Sequence, residues 1–305
     1  MKDIKEKLLL KIKKEFPKLK WQLAEQNKIG WDYYIVVLDN RLIFRFAKDK
    51  LAHKILADEI DFLKFLQGKV KLKIPNYCYI SRDKSFVGYE TIPGEHFMPW
   101  VYHKYVPKKN KLAMAKQLGE FISTMQATPI KKIKNSTIKN AHLKIYNIEP
   151  KVYQDLWLKF NQADKNFARK FFAIRKKYNK YKYQRVLVHG DLWKENVIIQ
   201  HDYKRLAGVI DFSDRHLGDP AQEFAGFWDY GPQFVKNVYK NYTGAKDNEF
   251  LERSFLYYLE EGFWMLWGSL KTKNIPYKKA YEFFQHRINK YSKFYAVLHS
   301  MEDKL

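Results

Sequence analysis

Residues 186–199 read Val-Leu-Val-His-Gly-Asp-Leu-Trp-Lys-Glu-Asn-Val-Ile-Ile, and residues 208–212 read Gly-Val-Ile-Asp-Phe. Short apolar runs interrupted by polar residues predict short strands that meet in a hairpin, with the polar side chains at the strand ends. Asp191, Asn196 and Asp211 occupy those ends, so we expect their side chains to lie close together. This short β island is therefore the candidate functional centre of the chain.

The oxygens of these three side chains suit one kind of chemistry. Carboxylate and amide oxygens are the hard ligands that Mg²⁺ prefers, and a separate carboxylate at the start of the loop can accept the proton of an attacking hydroxyl. Phosphoryl transfer needs metal ions that bridge phosphates, a base, and correct positioning. The pattern is typical of that chemistry. The plainer alternative is that Asp191 and Asn196 only stabilise turns, which both residue types favour.

The N-terminal third predicts a small sheet with a helix. Tyr33–Leu38 and Leu42–Phe46 read as strands on either side of a tight turn at residues 39–40, and Tyr77–Ile80 and Phe86–Thr91 read as two more. The sequence between these two pairs predicts a helix.

That helix is predicted over residues 51–67 by an apolar stripe at helical spacing: Leu56, Ile60, Leu63 and Leu66. Glu59 lies on the same side as the stripe. Because a buried carboxylate is costly unless it is paired, we expect a cation beside Glu59.

From about residue 96 the sequence becomes helical outside the β island. Residues 150–181 predict an aromatic-rich helical pair, and residues 219–305 predict helices rich in Tyr, Phe and Trp. Asp219 followed by Pro220 predicts a helix N-cap with proline at the first helical position. The fold class is therefore α+β, with a small sheet-containing part followed by a larger helical part.

The composition is that of a folded protein without disulfides. Aromatic residues make up 17% of the 305 residues, and the one cysteine, Cys78, excludes a disulfide scaffold and is expected to be packed within a strand. The apolar stretch at residues 8–10 is too short for a secretory signal, and no apolar run could span a bilayer. We therefore expect a cytoplasmic protein with no membrane partner.

The net charge of +24, from 57 Lys and Arg against 33 Asp and Glu, could indicate a nucleic-acid partner. The lysines are spread along the whole chain, however, and no nucleic-acid-binding module is recognisable. We therefore expect no nucleic-acid partner.

The motifs of the β island resemble those of the kinase-related aminoglycoside phosphotransferase family. His189-Gly190-Asp191 with Asn196 five residues further on is similar to the catalytic loop of that family, and Ile210-Asp211-Phe212 to its metal-binding motif. The other stretches that follow the family's order are Arg45, Glu59, residues 88–94 (Gly-Tyr-Glu-Thr-Ile-Pro-Gly) and Gly218-Asp219-Pro220. The resemblance thus covers essentially the whole chain, and it is strongest to the aminoglycoside 2″-phosphotransferase branch.

The resemblance implies a bilobal protein-kinase-like fold. Residues 1–92 would form a small antiparallel-sheet N-lobe that binds the nucleotide, and residues 93–305 a larger, mainly helical lobe for catalysis and substrate binding. The hinge would end at residues 93–95, and a helical subdomain would span residues 146–182.

It also implies roles for individual residues. Asp191 would be the catalytic base, and Asn196 and Asp211 would hold Mg²⁺. For the nucleotide, ATP or GTP, Arg45 would contact the phosphates and Glu59 would orient Arg45. Backbone groups of Glu90 and Ile92 would bind the purine edge. The family's usual cation on this strand is lysine, and the planar fork of an arginine is not interchangeable with an ammonium group.

The implied acceptor is a hydroxyl group of an aminoglycoside antibiotic. Because an aminoglycoside is a polycation, its site should be lined by carboxylates. The candidates are four acidic residues and one aromatic residue: Asp214, Asp229, Glu260, Glu261 and Trp267. Trp264 and Trp267 could either pack in the hydrophobic core or form a platform that contacts the ligand.

Other acceptors stay open. The family branch is usually much more acidic where this chain has Phe-Trp-Asp-Tyr-Gly at residues 227–231, and a net charge of +24 repels a polycation at long range. A macrolide, with one amine and a large apolar body, suits an aromatic lining, and a choline-like alcohol or a sugar is a further alternative. From another class, the alternative is a non-catalytic kinase-fold module that binds an acidic partner.

Overall fold

The computed structural model describes residues 4–27, 32–129, 154–178, 181–271 and 275–302, with the backbone alone for Asn27 and residues 291–302. The chain forms two compact units, of which the first comprises Met1–Phe97 and Glu195–Ser213 and the second comprises Met98–Lys194 and Asp214–Leu305. Of the helical subdomain expected at residues 146–182, residues 146–153 and 179–180 lie outside the described part.

The first unit contains a five-stranded antiparallel sheet with strand order β1-β2-β3-β5-β4. Its strands are β1 (Ala24–Asn27), β2 (Tyr33–Leu38), β3 (Leu42–Ala47), β4 (Tyr79–Ile80) and β5 (Phe86–Glu90). The turn between β2 and β3 is the tight turn predicted from the sequence: Asp39 and Asn40 have φ angles of 50° and 51°. Asp and Asn tolerate this left-handed conformation, which two-residue hairpin turns require.

Helices cover both faces of this sheet. Helix α1 (Ile4–Glu15) packs Leu8 and Ile12 into a cluster with Phe44 and Phe86. Helix α2 (Lys50–Leu66) packs Leu56 and other apolar residues against the opposite face. The stripe of α2 is the predicted one, and Glu59 within it has no solvent exposure.

The β island contributes a three-stranded sheet to the first unit. Its order is β6-β8-β9, with β6 (Glu95–His96), β8 (Val197–Ile199) and β9 (Leu206–Val209). The hairpin predicted from the sequence is present, and Val197 lies opposite Val209. Strand β9 ends at Val209, although the sequence predicted a strand through Phe212, because Asp211 leaves the extended conformation with a φ of 63°.

The second unit is mainly helical. Its helices are α3 (Pro99–Lys104), α4 (Lys108–Gln126), α5 (Gln162–Tyr178), a 3₁₀ helix (Pro220–Tyr230), α6 (Pro232–Asn241), α7 (Phe250–Lys271) and α8 (Tyr277–Glu302). Two strands, β7 (Val186–Val188) and β10 (His216–Gly218), pair antiparallel, and β10 was not predicted from the sequence. Stacked aromatic rings build the core between helices, with Phe171 and Phe263 separated by 4.8 Å between ring centroids.

Asp219 caps the 3₁₀ helix as predicted. Its side chain accepts a hydrogen bond from the backbone N–H of Ala221 at 3.0 Å, and Pro220 occupies the first turn. Arg253 of α7 also donates to Asp219 at 2.7 Å, so the cap is held by a buried ion pair as well.

Cys78, expected to be packed within a strand, is exposed instead, because β4 begins one residue later at Tyr79. In the described part of the chain, no helix is both long enough and apolar enough to cross a bilayer.

Candidate active site

Arg45 and Glu59 form a buried ion pair in the first unit. Strand β3 supplies Arg45 and helix α2 supplies Glu59, and Nη1 of Arg45 donates to Oε1 of Glu59 at 3.1 Å. Their side chains are 4% and 0% exposed. Arg45 is thus the cation that the buried carboxylate required. Burial lowers the pKa of Arg45, but the carboxylates of Asp211 and Glu59 outweigh that effect and raise it.

Asp211 lies beside the same guanidinium. Nη2 of Arg45 donates to Oδ1 of Asp211 at 2.9 Å, across 166 residues of sequence. The backbone N–H of Ile210 donates to the carbonyl oxygen of Asn196 at 2.9 Å, which aligns the two ends of the β8–β9 hairpin. Three of the predicted site residues, Arg45, Glu59 and Asp211, therefore form one cluster, and Asn196 is tied to the neighbouring backbone.

The donor set at this hairpin suits Mg²⁺. Asn196 offers an amide oxygen and is buried, while the side chain of Asp211 is 43% exposed and offers a carboxylate. Mg²⁺ is generally bound through one or two carboxylates together with substrate phosphates rather than by an all-protein cage. Two protein oxygen donors therefore fit the ion.

A cavity of about 480 Å³ in the first unit contains the predicted hinge residues. Glu90 and Ile92 line it, together with residues of another segment that include Lys73 and Ile74. The side chain of Glu90 accepts a hydrogen bond from Arg41 at 2.6 Å. Cavities of 300–1,000 Å³ are typical of small-molecule and cofactor sites.

Asp191 belongs to the second unit, in the loop that follows β7. The loop turns at Gly190, whose φ of 82° is the left-handed conformation that glycine adopts without strain. The backbone N–H of Asp191 donates to Nδ1 of His189 at 3.3 Å, and the backbone N–H of Gly190 donates to Glu223 at 3.0 Å. His189 is completely buried, so it supports the loop from within.

Three of the acceptor candidates line a second cavity, of about 140 Å³, in the second unit: Asp214, Glu260 and Glu261. Aromatic rings form much of the remaining wall: Trp193, Tyr257 and Trp264. Glu260 is paired with Arg175 at 3.3 Å. Burial raises the pKa of Glu261 to about 7, against the opposing effect of Arg287.

Asp229 and Trp267 have other partners. Asp229 lies 3.5 Å from the ammonium groups of both Lys194 and Lys290 and accepts from the hydroxyl of Tyr258 at 2.9 Å. Burial raises its pKa, but Arg287 and the two lysines outweigh burial and lower it. Trp267 donates its indole N–H to Asp155 at 2.7 Å. Neither residue is among those that line the 140 Å³ cavity.

Several residues that contact the predicted site residues or line the second cavity were not predicted from the sequence. Tyr77 and Ser213 share the guanidinium of Arg45, Glu223 holds the loop before Asp191, and Trp193 lines the second cavity. Ser213 lies two residues after Asp211, and Trp193 lies within the catalytic-loop motif. These two positions could have been marked from the motifs, but the sequence carries no signal for Tyr77 or Glu223.

Comparison with known proteins defines the class to which this chain belongs. The profile of the phosphotransferase enzyme family matches residues 24–256, which is more than half of the chain. The chain is a member of the phosphotransferase enzyme family.

Solved structures of similar fold include antibiotic phosphotransferases. The GDP complex of wild-type aminoglycoside 2′-phosphotransferase-IIIa is 23% identical, with a TM-score of 0.80 over 94% of this chain and 100% of that chain. A complex of APH(2″)-IIIa with GDP and kanamycin is 22% identical, with a TM-score of 0.78 over 95% and 98%. Macrolide 2′-phosphotransferase from Brachybacterium faecium is 14% identical, with a TM-score of 0.65 over 90% and 96%. The fold of this chain is therefore the kinase-like α+β fold of these enzymes.

Proposed function

We propose that this protein transfers the terminal phosphoryl group of ATP or GTP to a hydroxyl group of an aminoglycoside antibiotic, with Mg²⁺. The observation that carries the proposal is the cluster in which the buried Arg45 joins the buried Glu59 to the partly exposed Asp211, at 3.1 and 2.9 Å. Burying the charges of Arg45 and Glu59 costs desolvation free energy, which their ion pair has to offset. The cluster stands at the end of the hairpin that carries the metal-binding motif.

In this proposal the residues have the following functions. Asp191 accepts the proton of the acceptor hydroxyl, and Asn196 and Asp211 hold Mg²⁺, which neutralises charge on the phosphates when it is bound. The backbone of Glu90 and Ile92 binds the purine edge within the 480 Å³ cavity. Residues 1–92 constitute the nucleotide-binding lobe and residues 93–305 the catalytic and acceptor-binding lobe.

The acceptor is proposed from the lining of the 140 Å³ cavity. Its three carboxylates, Asp214, Glu260 and Glu261, suit an amine-bearing substrate, and the solved complex of a similar fold holds kanamycin. A macrolide is the second candidate, favoured by the aromatic wall of Trp193 and Trp264 and by the neutralisation of Asp229 by two lysines.

Replacing the proposed base tests the reaction. Asp191→Ala should lower turnover by about a hundredfold or more, the contribution typical of general base catalysis. Its Mg-nucleotide affinity should stay near that of the wild type, because this side chain is assigned to the acceptor. A coupled assay of nucleoside diphosphate release, run with ATP and GTP across aminoglycosides and macrolides, measures the first quantity, and fluorescent-nucleotide titration the second.

The matched control is Asp202→Asn, which alters an exposed aspartate in the β8–β9 turn and should leave turnover unchanged. If Asp191→Ala kept the wild-type turnover, the assignment of Asp191 as the catalytic base would be wrong. Release of diphosphate by the wild type at one rate with and without every acceptor would sink the transferase proposal.

A further inference from the structure

The guanidinium of Arg45 is enclosed by acceptors. Nη1 donates to Glu59 at 3.1 Å and to the hydroxyl of Tyr77 at 3.3 Å. Nη2 donates to Asp211 at 2.9 Å and to the hydroxyl of Ser213 at 2.7 Å. The two terminal nitrogens of an arginine carry four N–H groups in a fixed planar fork. Four acceptors therefore match four donors, all within the first unit.

The acceptors are also joined to one another. The hydroxyl of Tyr77 donates to Oε1 of Glu59 at 2.6 Å, and the hydroxyl of Ser213 donates to Oε2 of Glu59 at 3.2 Å. Each hydroxyl thus accepts from Arg45 and donates to Glu59. The ring of Tyr33 covers the guanidinium at 4.3 Å. A buried polar network in which the donors and acceptors match in this way is rigid.

Asp211 is the outward-facing member of this network. Its φ of 63° lies in the left-handed region, which a residue other than glycine adopts at some cost in free energy. Arg45 holds one carboxylate oxygen, and the side chain of Asp211 is 43% exposed. The ion pair therefore stabilises a strained backbone conformation that presents the carboxylate.

We propose that Arg45 is a positioning residue for Asp211 rather than a ligand of the nucleotide phosphates, and that Ser213 is the second anchor of the same fork. This inference rests on the proposed function, in which Asp211 holds Mg²⁺. A direct phosphate contact through either terminal nitrogen would require Nη2 to leave Asp211 and Ser213, or Nη1 to leave Glu59, a carboxylate with no solvent exposure. Leaving that charge without its cation is strongly unfavourable.

The network also gives a reason for arginine at this position. A lysine ammonium is a point charge with three donors, so it could not supply the four N–H groups that meet Glu59, Tyr77, Asp211 and Ser213 here. Asp211 would hold Mg²⁺, and the ion would supply neutralisation of charge on the phosphates. In this inference Arg45 affects nucleotide binding through the position of Asp211 and makes no contact with the phosphates.

Titration with fluorescent mant-ATP and mant-GTP, in EDTA and in Mg²⁺, separates the two roles. In Ser213→Ala and in Arg45→Met, the metal-free nucleotide affinity should stay within about twofold of the wild type. The gain in affinity that Mg²⁺ provides should fall about tenfold, which corresponds to the loss of one hydrogen bond to a charged group. Ser213→Thr keeps the hydroxyl and is the matched control that should retain the gain.

The outcomes are distinguishable. A tenfold loss of metal-free affinity in Arg45→Met would reveal a direct phosphate contact and overturn the inference. An unchanged Mg²⁺ gain in Ser213→Ala would overturn it too, and this variant serves if Arg45→Met does not fold. A wild-type protein whose nucleotide affinity does not respond to Mg²⁺ would instead overturn the proposed function, and the inference with it.

Discussion

Glu223 in the 3₁₀ helix shows how burial sets the ionisation of a single side chain. It is 1% exposed, and one carboxylate oxygen accepts from the backbone N–H of Gly190 at 3.0 Å. Among the described residues, the other oxygen has no hydrogen-bond partner. Burial raises the pKa of Glu223 from 4.5 to about 7, although the N–H groups of Gly190 and His189 favour the charged form.

This shift makes the free energy of unfolding depend on pH. Because the folded state holds the proton more tightly than the unfolded state, Glu223 contributes stability below pH 4.5 that is lost as pH rises to about 7. The loss amounts to about 3 kcal/mol at most. Glu223→Gln should abolish the contribution of Glu223 to this pH dependence. The free energies of urea unfolding at pH 5 and at pH 8 should then differ less than in the wild type.

Glu282→Gln, at an exposed glutamate of α8, is the control and should follow the wild-type pH profile. An identical pH profile in Glu223→Gln and the wild type would rule out titration of Glu223 in this range. Glu261, whose pKa burial also raises to about 7, keeps some pH dependence in every variant.

For single residues, the sequence predicted which residues belong to the site better than it predicted which side chains they contact. The carboxylate in the α2 stripe predicted a buried cation, and Arg45 occupies that place. Its contact with Ser213 spans 168 residues, and its contact with Tyr77 spans 32. Neither follows from a local pattern, because a hydrogen bond between distant residues exists only once the sheet and the hairpin have formed.

At the scale of elements, helix α2 matters because it carries Glu59 to Arg45. Its N-cap is Asp49, whose side chain accepts from the backbone N–H of Ala52 at 2.8 Å. Otherwise that N–H, one of the first four of the helix, would lack an intrahelical partner. The predicted span of residues 51–67 differs by one residue at each end from the observed Lys50–Leu66.

Asp49→Ala should lower the free energy of unfolding by about 1 kcal/mol, as expected for the loss of an N-cap. Asp49→Asn, which keeps an accepting oxygen, should cost less. The control is Asp61→Ala on the exposed face of the same helix, where the nearest cation lies 3.8 Å away, and it should change little. Urea unfolding followed by circular dichroism measures all three, and equal effects of Asp49→Ala and Asp61→Ala would contradict the capping role.

At the scale of the whole molecule, the net charge of +24 acts on both substrates at long range. A positive protein attracts a nucleoside triphosphate and repels a polycation, and salt screens both effects. Raising the salt from about 20 to about 200 mM should therefore lower kcat/KM for the nucleotide and raise it for a polycationic aminoglycoside. For a macrolide with one amine, kcat/KM should change little.

Steady-state kinetics with each acceptor at both salt concentrations tests this, with sucrose at matched osmolality as the control. If kcat/KM for the polycation fell steeply with salt, the carboxylates of the 140 Å³ cavity would outweigh the net charge. The prediction of long-range repulsion would then be wrong.

The sequence by itself determined helix α2, strands β2 to β5, the β8–β9 hairpin, the helical character of the second unit and the membership of the family, because apolar periodicity and the spacing of a catalytic motif are local properties. Only the tertiary structure decided that Arg45 joins Glu59 to Asp211 and Ser213, that Asp229 is held by two lysines, and that Trp264 rather than Trp267 lines the cavity. The physical reason is that burial and pairing of charges depend on which distant side chains the packing of the sheet and helices brings together.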